Sequence, residues 1–439
     1  MKGSTPAWLL TAVPVLGACG ALVGLTDVPE TNAADSGPDG ASSMDAPDTD
    51  IADRGLDGAS TDAPTDTGAS CQPRAQRCSD AGVEACLANG QWSVAAPCGS
   101  QSPVCLNGAC LAPSLDGGTV TPASCLSAAP GTSNCGAVDG GIDSCCTSLE
   151  VSAGSFDRTY SNDGTGPTGQ ADPASLSGFR LDQYDVTVGR FRPFVDAVLP
   201  TDGGTGWRPS PGSGRHTHLN GGQGLASGPN VDAGQVYEPG WVSADDANIA
   251  PTDANLGCTS TEIGFPTWTS SPGASENLPI DCVTWAEAYA FCIWDGGFLS
   301  SEAEWEYAAA GGSVELEYPW GSTDPGILSQ YAVYDCLYGD PGGGTCTGVT
   351  NIAPVGLAVQ GAGLWGQLDL AGNMWQWTLD SFAAYVSPCS DCAYLAAGSY
   401  RVARGGAFDN SPGYLLPPFR GYRTPGRYPF IGFRCARTP

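Results

Sequence analysis

Residues 401–437 read RVARGGAFDNSPGYLLPPFRGYRTPGRYPFIGFRCAR, and the placing of this run decides the fold. It holds a Gly-Gly turn (Gly405, Gly406), a proline-rich middle and five arginines from Arg404 to Arg434 in an otherwise acidic chain. It closes on Gly432-Phe433-Arg434-Cys435.

Working upstream, two helices are well signalled. Thr284-Trp285-Ala286-Glu287 is a capping box, in which the Thr hydroxyl and the Glu carboxylate satisfy free amides of a first helical turn. Trp285, Ala288, Tyr289 and Cys292 then fall on one face, and Gly296-Gly297 ends the helix. Ser301-Glu302-Ala303-Glu304 repeats the device, with Trp305, Ala308 and Ala309 expected to face inward before Gly311-Gly312. Further back, Phe179 to Val186 alternates as a strand does, and Thr187 can cap a helix through Val188, Phe191, Phe194 and Val195, with Pro193 sitting awkwardly inside it. Residues 200–280 are rich in Gly, Pro and Asn with isolated tryptophans (Trp207, Trp241, Trp268), which predicts long ordered loops held by aromatic anchors.

Taken in order, YDVTVGRFRPFV, LPIDCVTWAEAYAFC, LSSEAEWEYAAAGG with Tyr318-Pro319-Trp320-Gly321, DLAGNMWQWT, RVARGGAF and GFRCAR resemble the formylglycine-generating enzyme family, also called the sulfatase-modifying factor domain. The resemblance runs from Phe179 to Cys435. It implies an α+β, C-type-lectin-like fold with little regular secondary structure, preceded here by a small disulfide-rich module.

The same resemblance implies a copper(I) oxidase centre, in which two cysteines lie four and nine residues after the second glycine of the Gly-Gly turn. Those places hold Asn410 and Leu415, and no cysteine lies between Cys392 and Cys435. An amide and an alkyl side chain offer no soft ligand, so copper is not expected and no catalytic residue is assigned. A structural disulfide of the family is implied between Cys292 and Cys435, which stand at both of its positions. A family calcium site maps to Asp369, Gly372, Met374 and Gln376, all oxygen donors, although Asp369 and Gln376 bonding their own turn is an equal alternative. Arg404, Arg420, Arg423, Tyr414 and Tyr422 surround the lost centre and are candidates to line a pocket for an acidic peptide or a sugar. Arginines in an acidic chain are otherwise partners for buried carboxylates.

His216-Thr217-His218 allows two readings, a metal site completed by Glu238 or solvent-facing loop histidines. Cys389-Ser390-Asp391-Cys392 reads as a small structural loop ahead of a redox pair, since nothing nearby lowers a thiol pKa. Cys258, Cys282, Cys336 and Cys346 complete an even set of extra cysteines in this domain.

The rest of the chain reads as an exported protein. It has 46 acidic against 17 basic residues, only one lysine, and nineteen cysteines. Such a charge excludes nucleic acid as a partner, and so many cysteines point to an oxidising compartment. Residues 1–19 look like a signal peptide ending in the lipobox Leu16-Gly17-Ala18-Cys19, with Cys19 the lipidated residue. Gly20 favours the outer membrane of a Gram-negative cell over inner-membrane retention. Residues 20–70 form an acidic, aromatic-free tether. Residues 71–113 hold six cysteines around Trp92, a module held by cross-links because so short a segment has little to bury. Residues 114–150 are a cysteine-containing lead-in, in which Cys145 and Cys146 find separate partners, Cys125 and Cys135 being nearest. The main domain occupies 151–439. The expected role is a lipid-anchored binding or structural module with a peptide or glycan ligand. A working oxidase and a purely architectural envelope protein are the alternatives.

Overall fold

The computed structural model describes residues 121–126, 129–136, 143–200, 206–227, 236–258, 265–340 and 342–439 in full, and the backbone of two hairpins between residues 76 and 111. The signal peptide, Cys19, the tether and the cysteine pairing of the 71–113 module lie outside the described residues. The hairpins pair Gln76–Ser79 with Gly82–Ala85 and Val104–Leu106 with Ala109–Leu111.

Among the described residues, four α-helices are set by local chemistry. The Thr187 hydroxyl accepts from Arg190 N and starts α1 (Val188–Val198), which buries Val188, Phe191, Phe194 and Val198 and continues through Pro193. Helix α2 (Asp253–Leu256) is a single turn capped by Thr252. Both capping boxes form as the spacing predicts, Thr284 with Glu287 on α3 (Trp285–Trp294) and Ser301 with Glu304 on α4 (Glu302–Ala309). Trp305, Ala308 and Ala309 face inward as expected. Every residue of α4 is buried, including Glu302, Glu304 and Glu306, because each carboxylate meets a cationic group from another element.

Two four-stranded sheets frame the helices. In the first, Cys435–Arg437 lies between Phe298–Leu299 and Phe179–Asp182, and Ser148–Val151 forms the far edge. The strand expected over 179–186 stops at Asp182, because Asp182 and Asp185 turn inward to Arg190 and Arg434 instead of alternating. In the second, Trp375–Ser381 sits between Arg401–Arg404 and the parallel Ile431–Gly432, and Gly421–Arg423 completes the sheet. A long hairpin of Gly154–Ser161 and Thr168–Leu176 carries the short strand Cys389–Ser390 along its edge.

The main core is aromatic. Phe291 of α3 stacks on Phe191 of α1 at 5.5 Å and meets Phe433 edge-on at 5.4 Å, so the Gly-Phe-Arg-Cys motif inserts its phenyl ring between two helices. Such pairs add about 0.5–1.5 kcal/mol beyond the area they bury. The loop tryptophans act as the anchors expected: Trp241 is buried, and Trp207 and Trp268 pack against the same core.

All twelve cysteines in the described residues are paired: Cys125–Cys146, Cys135–Cys145, Cys258–Cys282, Cys292–Cys435, Cys336–Cys346 and Cys389–Cys392. The adjacent Cys145 and Cys146 take separate partners. The lead-in docks closely: Ser124 N donates to Asp295 Oδ1, and Arg190 reaches Ser124 Oγ and the Cys145 carbonyl.

Candidate functional site

The Gly405-Gly406 turn requires glycine at both positions. Their φ values are +97° and +72°, and a Cβ on Gly405 would lie 2.9 Å from the Leu370 carbonyl and 3.2 Å from the Trp305 ring. The turn delivers the chain to the two positions that decide the chemistry. Asn410 Oδ1 accepts from Ala407 N at 3.0 Å and its carbonyl accepts from Asp335 N, so the side chain closes its own turn. Leu415 is 1% exposed and packs in a cluster with Ala332, Tyr334, Leu337 and Ala371. One position is a turn brace and the other an apolar plug.

Behind this turn lies an ion network built on the Glu-x-Glu-x-Glu run of α4. Arg404 donates through Nε to Glu302 Oε1 (2.9 Å) and through Nη2 to Glu306 Oε2 (2.7 Å) and the Tyr385 hydroxyl (2.9 Å). Arg420 adds two bonds of 2.7 Å to the Glu302 carboxylate. Burial pushes the Glu302 carboxyl upward, but Arg404 and Arg420 outweigh it and hold the group below the usual range. For Glu306 burial wins: with Arg404 pulling down and the Glu302 charge pushing up, it titrates at about 7. Asp380 is likewise pushed up to about 7, by burial and then by Glu302.

Arg404 also fixes the neighbouring backbone. Its Nη1 donates to the carbonyls of Pro417 (2.7 Å) and Phe419 (3.2 Å). That segment is one wall of a cleft of about 260 Å³, lined by Tyr160, Ser161, Asn162, Glu317, Leu416, Pro418 and Phe419. None of the five sequence candidates is in this lining. Arg404 is fully buried and Arg420 is 18% exposed with its charge bound by Glu302, so both are partners of interior carboxylates. Tyr414 packs on Phe419 and Trp375, Tyr422 stacks on Phe382 at 4.2 Å, and Arg423 lies over Tyr428 and Phe430. Arg190, Arg192, Arg404, Arg420, Arg427, Arg434 and Arg437 all pair with carboxylates, whereas Arg158, Arg208 and Arg401 are held by backbone carbonyls.

The two side chains mapped to a calcium site, Asp369 and Gln376, are both hydrogen-bonded within the protein. Gln376 Oε1 already accepts from Trp305 Nε1 (2.6 Å) and Arg434 Nε (2.7 Å), and Gln376 Nε2 donates to the Asp369 carbonyl (2.6 Å). Asp369 Oδ2 accepts from Gly356 N, and the Arg434 guanidinium lies 3.0 Å from the Asp369 carbonyl, where a second cation would meet like charge. Gln376 braces its turn through the Asp369 carbonyl, whereas the Asp369 side chain reaches Gly356 in another loop. Among the described residues no three His, Cys, Asp or Glu converge as a metal ligand set.

His216 is neither a loop histidine at the surface nor a ligand with a free nitrogen. It is buried, with Nδ1 3.0 Å from Glu238 Oε2 and Nε2 3.1 Å from Glu304 Oε2. Burial alone would lower its pKa, but the two carboxylates raise it to about 10 and make it a buried imidazolium. His218 stacks beside it on Phe298.

Sequence reading did not find Glu306, Tyr385 or the cleft residues Tyr160, Asn162 and Glu317. The alternating glutamates of EAEWEY were the available signal, since three carboxylates on a helix with an apolar remainder require cations from elsewhere.

Comparison with known proteins places residues 142–439 in the Sulfatase-modifying factor enzyme 1-like domain family. A formylglycine-generating enzyme from Thermomonospora curvata is 30% identical over 310 residues, covering 64% of this chain and 88% of that protein. A hercynine oxygenase from Mycolicibacterium smegmatis is 29% identical over 278 residues, covering 60% of this chain and 53% of its own length, so the chain spans about half of that relative. A protein named inactive C-alpha-formylglycine-generating enzyme 2 from Bos taurus is 31% identical over 172 residues, covering 37% of this chain and 52% of that protein.

Proposed function

Because the chain belongs to the sulfatase-modifying factor family, and because its version of the family centre carries no sulfur, we propose that it is a non-catalytic member, a lipid-anchored cell-envelope protein whose domain serves as a binding module. The observation that carries this reading is the pair Asn410 and Leu415, one bracing a turn and the other filling an apolar cluster. Copper(I) favours soft sulfur ligands such as thiolates, and every cysteine in the described residues is in a disulfide. The ion network behind the turn supports a scaffold reading as well. Its arginines satisfy glutamates of α4 and hold a cleft wall in place, an arrangement suited to a pre-formed binding surface.

The anchor at Cys19 and the outer-membrane location rest on the leader sequence and belong to the same proposal. A peptide or glycan is the ligand class it carries. Two measurements on the full-length protein test it: copper(I) titration, and incubation with a cysteine-containing sulfatase-type peptide followed by mass spectrometry. No stoichiometric copper and no mass change at the cysteine are expected. Conversion of that cysteine to formylglycine would replace this reading with the oxidase.

A further inference from the structure

The cleft beside Leu415 contains one charged group, Glu317, and that group has no cationic partner among the described residues. Asp281, Asp369 and Asp380 also lack an ion pair, but each is buried and accepts from a backbone N–H. The partly or fully buried carboxylates of Asp182, Asp185, Glu276, Glu287, Asp295, Glu302 and Glu306 each sit within 3 Å of an arginine. Glu317 instead has Asp163 and Asp324 as its charged neighbours, and burial followed by those two charges pushes its carboxyl upward. Like charges close to a cleft with low-dielectric walls deepen the negative potential inside it.

The remaining lining fits a particular shape of ligand. Leu416, Pro418 and Phe419 give an apolar wall, and Tyr160, Ser161 and Asn162 give a polar one. The apolar wall is held from behind by Arg404, through the Pro417 and Phe419 carbonyls. The polar wall is held as well, since the Tyr160 hydroxyl donates to the Leu316 carbonyl at 2.8 Å and Asn162 Nδ2 donates to the Glu315 carbonyl at 2.7 Å. Both walls are therefore set before a ligand arrives. The volume of about 260 Å³ is below the ~300–1,000 Å³ usual for whole drug-sized ligands, so it suits one side chain or one sugar unit.

We propose that this cleft binds a protonated primary amine on a short apolar or hydroxylated stem, with Glu317 as the counter-charge and Phe419 and Leu416 against the stem. This deepens the binding-module reading and rests on it. A lysine side chain and an amino sugar share this chemistry.

The test is ligand-observed NMR on the full-length protein with four probes: Nα-acetyl-lysine methylamide, its Nε-acetylated form, glucosamine and N-acetylglucosamine. Saturable binding of at least one amine is expected at about millimolar affinity. Its acetylated form, and the Glu317→Gln variant, should each bind roughly two- to fivefold more weakly, the worth of a half-exposed ion pair, with added salt reducing the difference. The remote Asp196→Asn variant should behave as the natural protein does. The lysine and glucosamine arms separate the two sources of amine. Equal binding of amine and acetylated probes, equal binding by the Glu317→Gln variant, or no saturable binding would each overturn the proposal. Those outcomes leave the copper and peptide assays unaffected, so failure here is distinguishable from failure of the non-catalytic reading.

Discussion

Arg404 Nη2 lies 2.7 Å from Glu306 Oε2, and neither side chain has any exposed surface. This contact joins α4, the earliest buried acidic element of the site, to the strand that leads into the Gly-Gly turn. Two charges removed from water must satisfy one another, because neither has solvent to fall back on.

Truncating the cation should therefore be severe. Arg404→Met would leave Glu302 with Arg420 alone and Glu306 with only the Tyr385 hydroxyl, and about 3–5 kcal/mol of stability should be lost. Urea unfolding at pH 8 measures it. Glu306→Gln keeps two polar atoms beside Arg404 and Tyr385 and should cost clearly less. Equal costs for the two would show that Arg404 acts by packing rather than by charge.

The His216 imidazolium predicts an alkaline limit. Its folded pKa of about 10 lies above the ordinary 6.5, so the folded state holds the proton more tightly. That contribution is complete below about pH 6.5 and is lost as pH rises through about 10. Melting temperature measured across pH 6 to 10.5 should fall on the alkaline side, and His216→Gln should remove most of that slope while lowering the plateau. Parallel curves for the two proteins would mean that the ring is neutral in the folded state.

Leu415 offers a direct measure of the apolar plug. Leu415→Ala should cost about 2–5 kcal/mol, the usual range for emptying a buried leucine site. A cost below about 1 kcal/mol would mean that the position faces open space, since exposed substitutions fall within about half a kcal/mol.

The disulfides should differ by the length of chain they close. Cys292–Cys435 spans 143 residues and joins α3 to the last strand, whereas Cys389–Cys392 spans three. Chain entropy alone assigns about 5 kcal/mol to the first and about 1.5 kcal/mol to the second. Paired Cys→Ala variants of each, compared by denaturant midpoint, check the ordering. A larger loss from the short loop would point to native-state packing as the dominant effect.

Much of this fold was legible because its signals are local. Both capping boxes, the α1 cap at Thr187 and the glycines at 405 and 406 are short-range requirements that any reader of the chain can see. The resemblance supplied the register that put Asn410 and Leu415 at the centre. What stayed hidden depends on partners far apart in sequence. Glu306 and Arg404 are separated by 98 residues and Glu304 and His216 by 88, so nothing local shows whether those charges face water or each other. The cleft is similarly opaque, since its walls come from the end of the Gly154–Ser161 strand, Glu317 and the 416–419 segment. The burial of His216 is opaque for the same reason, because nothing local places Glu304 of α4 beside it.

The burial of Arg158, Arg190, Arg404 and Arg434 also bears on how copies of the domain meet. With the only lysine of the chain at position 2, the described exterior sets many exposed carboxylates against arginines that are all at least partly buried. Neighbouring copies would approach as like-signed bodies and hold each other at a distance, most strongly in dilute buffer. Bringing them together would take a multivalent cation or a basic partner wedged between them.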